Sequence, residues 1–100
     1  MNEAEFSITV EGASILVKLR GEIDLETSPQ LVACLSVLRS SAIVDCSGLD
    51  FIDSSGLHVL IKHAYRDHCP RIRLTKGSSR VQRLFELTGA IDHLPFVTRE

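Results

Sequence analysis

The chain has no apolar run long enough to cross a bilayer, no surplus of positive charge and no cysteines at paired spacing. Each absence removes a class of protein. A spanning helix takes about 18 or more successive apolar residues, and a secretory signal has its own apolar stretch; neither pattern occurs, which predicts a cytoplasmic protein with no membrane partner. Lys and Arg number 11 against 13 Asp and Glu, a net charge of −2, so the basic footprint that nucleic acid demands is missing. Cys34, Cys46 and Cys69 are odd in number and form no CxxC pair, which reads as reduced thiols rather than disulfides. The 100 residues are 44% hydrophobic with only 3 prolines and 6 glycines, enough for one core and not for two. Residues 1–100 are therefore expected to form a single domain.

Signatures of chemistry are missing as well. No G-x-x-x-x-G-K-[ST] run is present to cradle a nucleotide's phosphates, and no G-x-S-x-G elbow to expose a nucleophilic serine. His58, His63 and His68 follow one another at intervals of 5; at that spacing each turns roughly 140° from the last, so they share no helical face for a metal. No metal and no cofactor are expected.

What is present centres on Ile43 to Ile61, IVDCSGLDFIDSSGLHVLI. An apolar, β-branched run passes through Asp53-Ser54-Ser55-Gly56 into a helix-period segment, as a strand feeds a helix in an α/β unit. The turn falls where a helix begins, and where unpaired N–H groups and the positive end of the macrodipole favour negative charge.

Before it, Phe6 to Val10 and Ser14 to Leu19 alternate apolar and polar about Glu11-Gly12-Ala13, an antiparallel hairpin. Ser28 and Pro29 read as N-cap and first position of a helix with Leu31, Cys34, Leu35 and Leu38 on one face, ending around Arg39 to Ser41. Cys34 reads as a buried small hydrophobe. Ala42 to Cys46 is apolar on both alternations, a buried parallel strand beside Ser14 to Leu19. Beyond the turn, Leu57, Leu60, Ile61, Ala64 and Tyr65 make an inner row, with His58, Lys62 and Arg66 outside. Arg71 to Thr75 is a strand closed by Lys76-Gly77. Ser79 with Gln82 makes a capping box for a helix whose inner face is Val81, Leu84, Phe85 and Thr88, with Gly89 at C′ and Leu94 to Val97 as a last strand or half-turn. The order is β-β-α-β-α-β-α with a terminal extended piece. It predicts an α/β fold with a mixed sheet of four to five strands and helices packed mainly on one face. An unpaired strand edge allows weak homodimerisation.

Two readings of the turn follow from its residues alone. In a serine hydrolase, Ser54 or Ser55 would be activated by His58 and oriented by Asp45, Asp50 or Asp53, but elbow and pocket are absent. In the bland reading the serines only cap a helix. Against it stands the gathering of Asp24, Asp45 and Asp53 around Ser54 at strand ends, the rim where open α/β sheets place their sites.

The motifs also carry a resemblance. Gly21-Glu22-Ile23-Asp24, Val44-Asp45-Cys46-Ser47-Gly48-Leu49, Phe51-Ile52-Asp53-Ser54-Ser55-Gly56-Leu57 and Arg83-Leu84-Phe85-Glu86-Leu87-Thr88-Gly89 resemble the STAS domain of bacterial anti-sigma factor antagonists, from about Phe6 to Val97. The resemblance implies that Ser54, directly after the aspartate, is phosphorylated by the cognate anti-sigma factor, a serine kinase of the histidine-kinase-like ATPase fold. It implies that the unphosphorylated form binds that kinase and frees a sigma factor, that the phosphorylated form lets go, and that a PP2C-type phosphatase resets it. Asp24 matches the acid beside the phosphosite and Asp53 the one before it, so Asp24, Asp53, Ser54, Ser55 and Gly56 form the expected partner-binding set. The protein is then no enzyme. A scaffold that is never phosphorylated, and a redox-responsive module using Cys46, are the alternatives. A phosphoryl group adds roughly −1.5 to −2 charges; helix N–H groups are expected to accommodate it while a partner surface rejects it.

Overall fold

Alternation folds the N-terminal residues into a hairpin, β1 (Ala4–Glu11) with β2 (Ser14–Ile23), in unbroken antiparallel register from Ala4 opposite Gly21 to Glu11 opposite Ser14. Gly12 turns it at φ 60, a left-handed conformation that costs glycine nothing. The computed structural model describes residues 4–38, 40–64 and 72–97. After the hairpin come α1 (Ser28–Ser36), β3 (Ala42–Ile52), α2 (Ser54–Ala64), β4 (Ile72–Leu74), α3 (Ser79–Leu87) and a 3₁₀ turn at Ala90–Asp92.

The strands form one mixed sheet in the order β1-β2-β3-β4, antiparallel at the hairpin and parallel thereafter. The crossovers β2-α1-β3 and β3-α2-β4 step the same way across the sheet, and the right-handed sense that parallel crossovers take puts both helices on one face, where they pack on each other while α3 packs on β3. This is the architecture the sequence predicts. Val17, Leu19 and Ile23 of β2, Val44, Cys46, Leu49 and Ile52 of β3, and Ile72 and Leu74 of β4 make the inner face, closed over by Leu31, Leu35, Leu57, Leu60, Val81 and Phe85. The Phe85 and Phe96 rings meet at 5.3 Å, tilted by 56°. Phe96 makes a single bridge to Leu74, so the terminal extended piece is neither a strand nor a half-turn of helix. Among the described residues no helix is long and apolar enough to cross a membrane.

Four details depart from the reading. β3 does not stop at Cys46 but runs to Ile52; two register shifts against β2, at Lys18/Arg20 and Gly21/Glu22, each insert an extra β3 residue and break the two-residue alternation. β3 is also covered on one face only: Ile43 and Asp45 point to the helix-free side and are half-buried. Thr27, not Ser28, caps α1, Pro29 is its second residue, and the helix ends at Ser36. Ser78, not Ser79, caps α3. Its hydroxyl accepts from Val81 N at 3.3 Å while Gln82 Oε1 accepts from Gly77 N at 2.7 Å, the expected box moved back by one residue. Gly89 does close α3, at φ 79. Arg39, Tyr65, Arg66, His68, Cys69 and Arg71 lie outside the described residues.

Candidate functional site

β2 and β3 end side by side, Ile23 opposite Ile52, and each strand leads into a helix through a turn opened by an aspartate. Asp53 N–H donates to the Ile23 carbonyl at 3.0 Å, which joins the two turns at the backbone.

In the β3–α2 turn, Asp53 Oδ1 accepts from Ser55 N at 2.9 Å, from Gly56 N at 3.2 Å and from the Ser55 hydroxyl, and the Asp53 carbonyl accepts from Leu57 N at 3.0 Å. Asp53 is thus the cap of α2, and Ser55, half-buried, has its hydroxyl tied down. Ser54 is exposed, and its hydroxyl makes no hydrogen bond among the described residues. Gly56 presses the helix start onto the strand ends: a Cβ there would sit 2.6 Å from Ile23 Cγ2 and 2.7 Å from Ile52 Cγ1. One expectation changes. The N–H groups of Ser55 and Gly56 are already held by Asp53, so an anion on Ser54 does not find the first helical turn vacant.

In the β2–α1 turn, Asp24 Oδ1 accepts from Glu26 N and Thr27 N, each at 3.0 Å. Thr27 Oγ1 accepts from Asp24 N at 2.9 Å, and its proton has the Glu22 carbonyl at 3.0 Å and Asp24 Oδ1 at 3.2 Å in reach. Thr27 is 4% exposed and Leu25, carried outward on the loop, 78%. Sequence reasoning passed over both. The D-x-x-T spacing and a lone leucine between two acids were the signals on offer.

The structure brings Asp24, Asp53, Ser54, Ser55 and Gly56 to one rim but leaves Asp45 out. Asp45 lies inside β3 rather than at its end, 7 residues before Ile52, roughly 20 Å along the strand and beyond a Debye length of about 8–10 Å. Its Oδ1 accepts from Ser47 N at 2.9 Å and from Thr75 Oγ1 at 3.2 Å. Burial works to raise its pKa, but these bonds and the charge of Lys18 outweigh it and hold the carboxyl below its usual value. Next to it, Cys46 is 0% exposed, and burial first, then the Asp45 charge, pushes its thiol up to about 12. A sealed, protonated thiol is no redox sensor, which removes Cys46 from the redox alternative. Burial also raises the half-buried Cys34. His58 is exposed and makes no hydrogen bond to either serine among the described residues, so no hydrolase relay is assembled.

Comparison with known proteins bears on the family and the fold. The family described as "Mlab, STAS domain" matches residues 6–97. The anti-sigma-B factor antagonist of Staphylococcus aureus is 30% identical across an 82-residue alignment covering 76% of each chain. Among solved structures, an anti-sigma factor antagonist from Mycobacterium paratuberculosis superposes with a TM-score of 0.80 at 19% identity, over 97% of this chain and 87% of that one. The anti-sigma factor antagonist SpoIIAA in its unphosphorylated form gives 0.73 at 21% identity, over 95% and 90%. The Bacillus SpoIIAA in its phosphorylated form gives 0.63 at 21%, over 95% and 93%. With residues 6–97 matched by the family and a curated relative 30% identical over 76% of its length, the chain belongs to the STAS-domain anti-sigma factor antagonists.

Proposed function

We propose that the protein works by partner switching in the cytoplasm, without catalysis of its own. While Ser54 keeps its hydroxyl, the rim formed by Asp24, Leu25, Asp53, Ser54, Ser55 and Gly56 docks on an anti-sigma factor and frees a sigma factor for transcription. The same partner, a serine kinase of the histidine-kinase-like ATPase fold, ends the contact. Ser54 Oγ attacks the γ-phosphorus of ATP, an O–P bond forms as the bond to ADP breaks, and the hydroxyl proton passes to a base of the kinase. A PP2C-type phosphatase hydrolyses the phosphoserine and restores binding. The observation that carries the reading is the contrast between neighbouring hydroxyls: Ser54 exposed and unbonded among the described residues, Ser55 fastened to Asp53.

The electrostatics support a switch rather than an adjustment. A dianion on Ser54 stands beside the Asp53 carboxylate, which already holds two first-turn N–H groups, so little of its charge is met by the helix. A partner closing over that pair buries like charges, which costs several kcal/mol unless new cations pair with them. About 1.4 kcal/mol is enough for a tenfold loss of affinity. In solvent the same dianion stays hydrated, and the domain keeps its fold.

The test incubates the protein with an anti-sigma factor of this kinase type and Mg-ATP, maps phosphate by mass spectrometry and measures binding before and after. Phosphate is expected on Ser54 alone. Ser54→Ala stays unlabelled and bound, and Ser54→Asp folds but binds about tenfold or more weakly. Label persisting at the wild-type rate in Ser54→Ala would move the site to another hydroxyl. Tight binding that ATP never loosens would leave a scaffold in place of a switch.

A further inference from the structure

β1 is an edge strand, with no strand beyond it among the described residues. Sheet proteins protect such edges with lysine, proline, a bulge or short length. β1 uses none of these: it has 8 residues, AEFSITVE, and its register with β2 is unbroken. Ala4, Phe6, Ile8 and Val10 point to the side of the sheet that bears the helices, because their cross-strand partners include the core residues Val17 and Leu19. Phe6 packs against the core, but the helical layer does not reach over Ile8 and Val10. Ile8 is 44% and Val10 70% exposed, whereas Val17, opposite Ile8, is 0% exposed.

We infer that this edge pairs with a second copy of the chain, antiparallel, about a two-fold axis at Ser7. The strand is self-complementary in that register. Ala4 falls opposite Val10 of the other copy, Glu5 opposite Thr9, Phe6 opposite Ile8 and Ser7 opposite Ser7, so apolar side chains meet on the helix side and polar ones on the open side. Shifting the axis to Ile8 brings a like-charge pair, Glu5 against Glu11, inside the paired strand, whereas the Ser7 register carries Glu11 past its seven pairs, toward Glu3; shifting it to Phe6 takes Val10 out of the pairs that Ala4–Glu11 can form. Pairing at Ser7 makes one eight-stranded sheet with both helical layers on one side. The seven pairs make a seam about 23 Å long and a single strand wide, a small contact beside the roughly 1,200–2,000 Å² of specific, stable interfaces, so the dimer is weak and concentration-dependent. The seam runs along the edge of β1 that faces away from β2, whereas the Ser54 turn follows β3, on the far side of β2, so each copy keeps its rim open.

The test is sedimentation equilibrium of the full chain from about 10 μM to about 1 mM, a range that brackets weak association. A monomer–dimer equilibrium is expected within it. Ile8→Lys and Val10→Lys each weaken it about tenfold or more while thermal melting is unchanged, since both side chains are exposed. The register is read by cross-linking in a Cys34→Ser, Cys69→Ser background under diamide. Directly opposed Cα atoms lie about 4.5–5.5 Å apart, within disulfide reach. Ser7→Cys links to itself and Thr9→Cys does not, whereas Glu5→Cys mixed with Thr9→Cys does. A monomer throughout the range overturns the inference and leaves the edge to a strand from a different protein, and a dimer indifferent to both lysines overturns it too. Neither outcome touches the labelling of Ser54.

Discussion

The two turns on the rim are built from the same parts to opposite ends. Each follows a parallel strand, opens on an aspartate whose Oδ1 takes two backbone N–H groups, and contains a hydroxyl residue beside it. In the β2–α1 turn the hydroxyl is turned inward, with Thr27 locked between Asp24 and Glu22 and 4% exposed. In the β3–α2 turn, Asp53 binds the second serine and leaves the first one outside. A hydroxyl next to a carboxylate is therefore not in itself available; the one that the local bonds leave over is. One turn ties its hydroxyl into the loop, and the other leaves an exposed hydroxyl with no hydrogen bond among the described residues.

The comparison breaks most severely at Gly56. Gly56→Val forces atoms into the Ile23 and Ile52 side chains, which already lie 2.6 and 2.7 Å from where a first Cβ would go. Overpacking of this kind costs about 1–3 kcal/mol, and the second methyl takes the loss to the top of that range. At about 4–8 °C per kcal/mol for a domain of this size, a fall of about 10 °C or more in Tm is expected in a calorimetric scan. An unchanged Tm would mean that the α2 start is not seated on the strand ends. Thr27→Val comes next. It keeps shape but orphans Asp24 N and the Glu22 carbonyl, worth about 1–2 kcal/mol, and Thr27→Ser should regain most of it. If the valine variant melts like wild type, hydrogen bonding is not what locks that loop.

How much of this was legible follows from where each pattern is local. The hairpin, the order of elements and the Asp53-Ser54 turn rest on alternation, helical period and capping residues within a few positions, and all were readable. β3 beyond Cys46 was not, because its inner residues Cys46, Leu49 and Ile52 are spaced by three; two bulges, set by pairing with β2, keep them on one face. The same miscount placed Asp45 at a strand end and hence at the site. Which of two adjacent serines is free also lay beyond the sequence. Ser54 and Ser55 are identical in type, and the choice is made by the direction in which the Asp53 carboxylate points.

Asp45 supplies the smallest effect and an independent check on the two-turn account. Its carboxyl sits below the ordinary 3.8 in the folded protein, so its contribution to stability is present above that pH and is lost as pH falls through the folded value. Asp45→Asn keeps an oxygen for Ser47 N and Thr75 Oγ1 but loses the charge that Lys18 faces. For a half-exposed, solvent-screened group the loss is about 0.5 kcal/mol or less at neutral pH. Denaturant titrations of wild type and variant should therefore differ slightly at pH 7 and converge once the pH has fallen through the lowered pKa of the folded carboxyl. Ser54 labelling and partner binding should match wild type at every pH where both are folded, because roughly 20 Å of strand and screening by salt separate the two carboxylates. A drop in Ser54 labelling in Asp45→Asn would mean that the third acid acts on the rim, and the division of labour between the two turns would have to be redrawn.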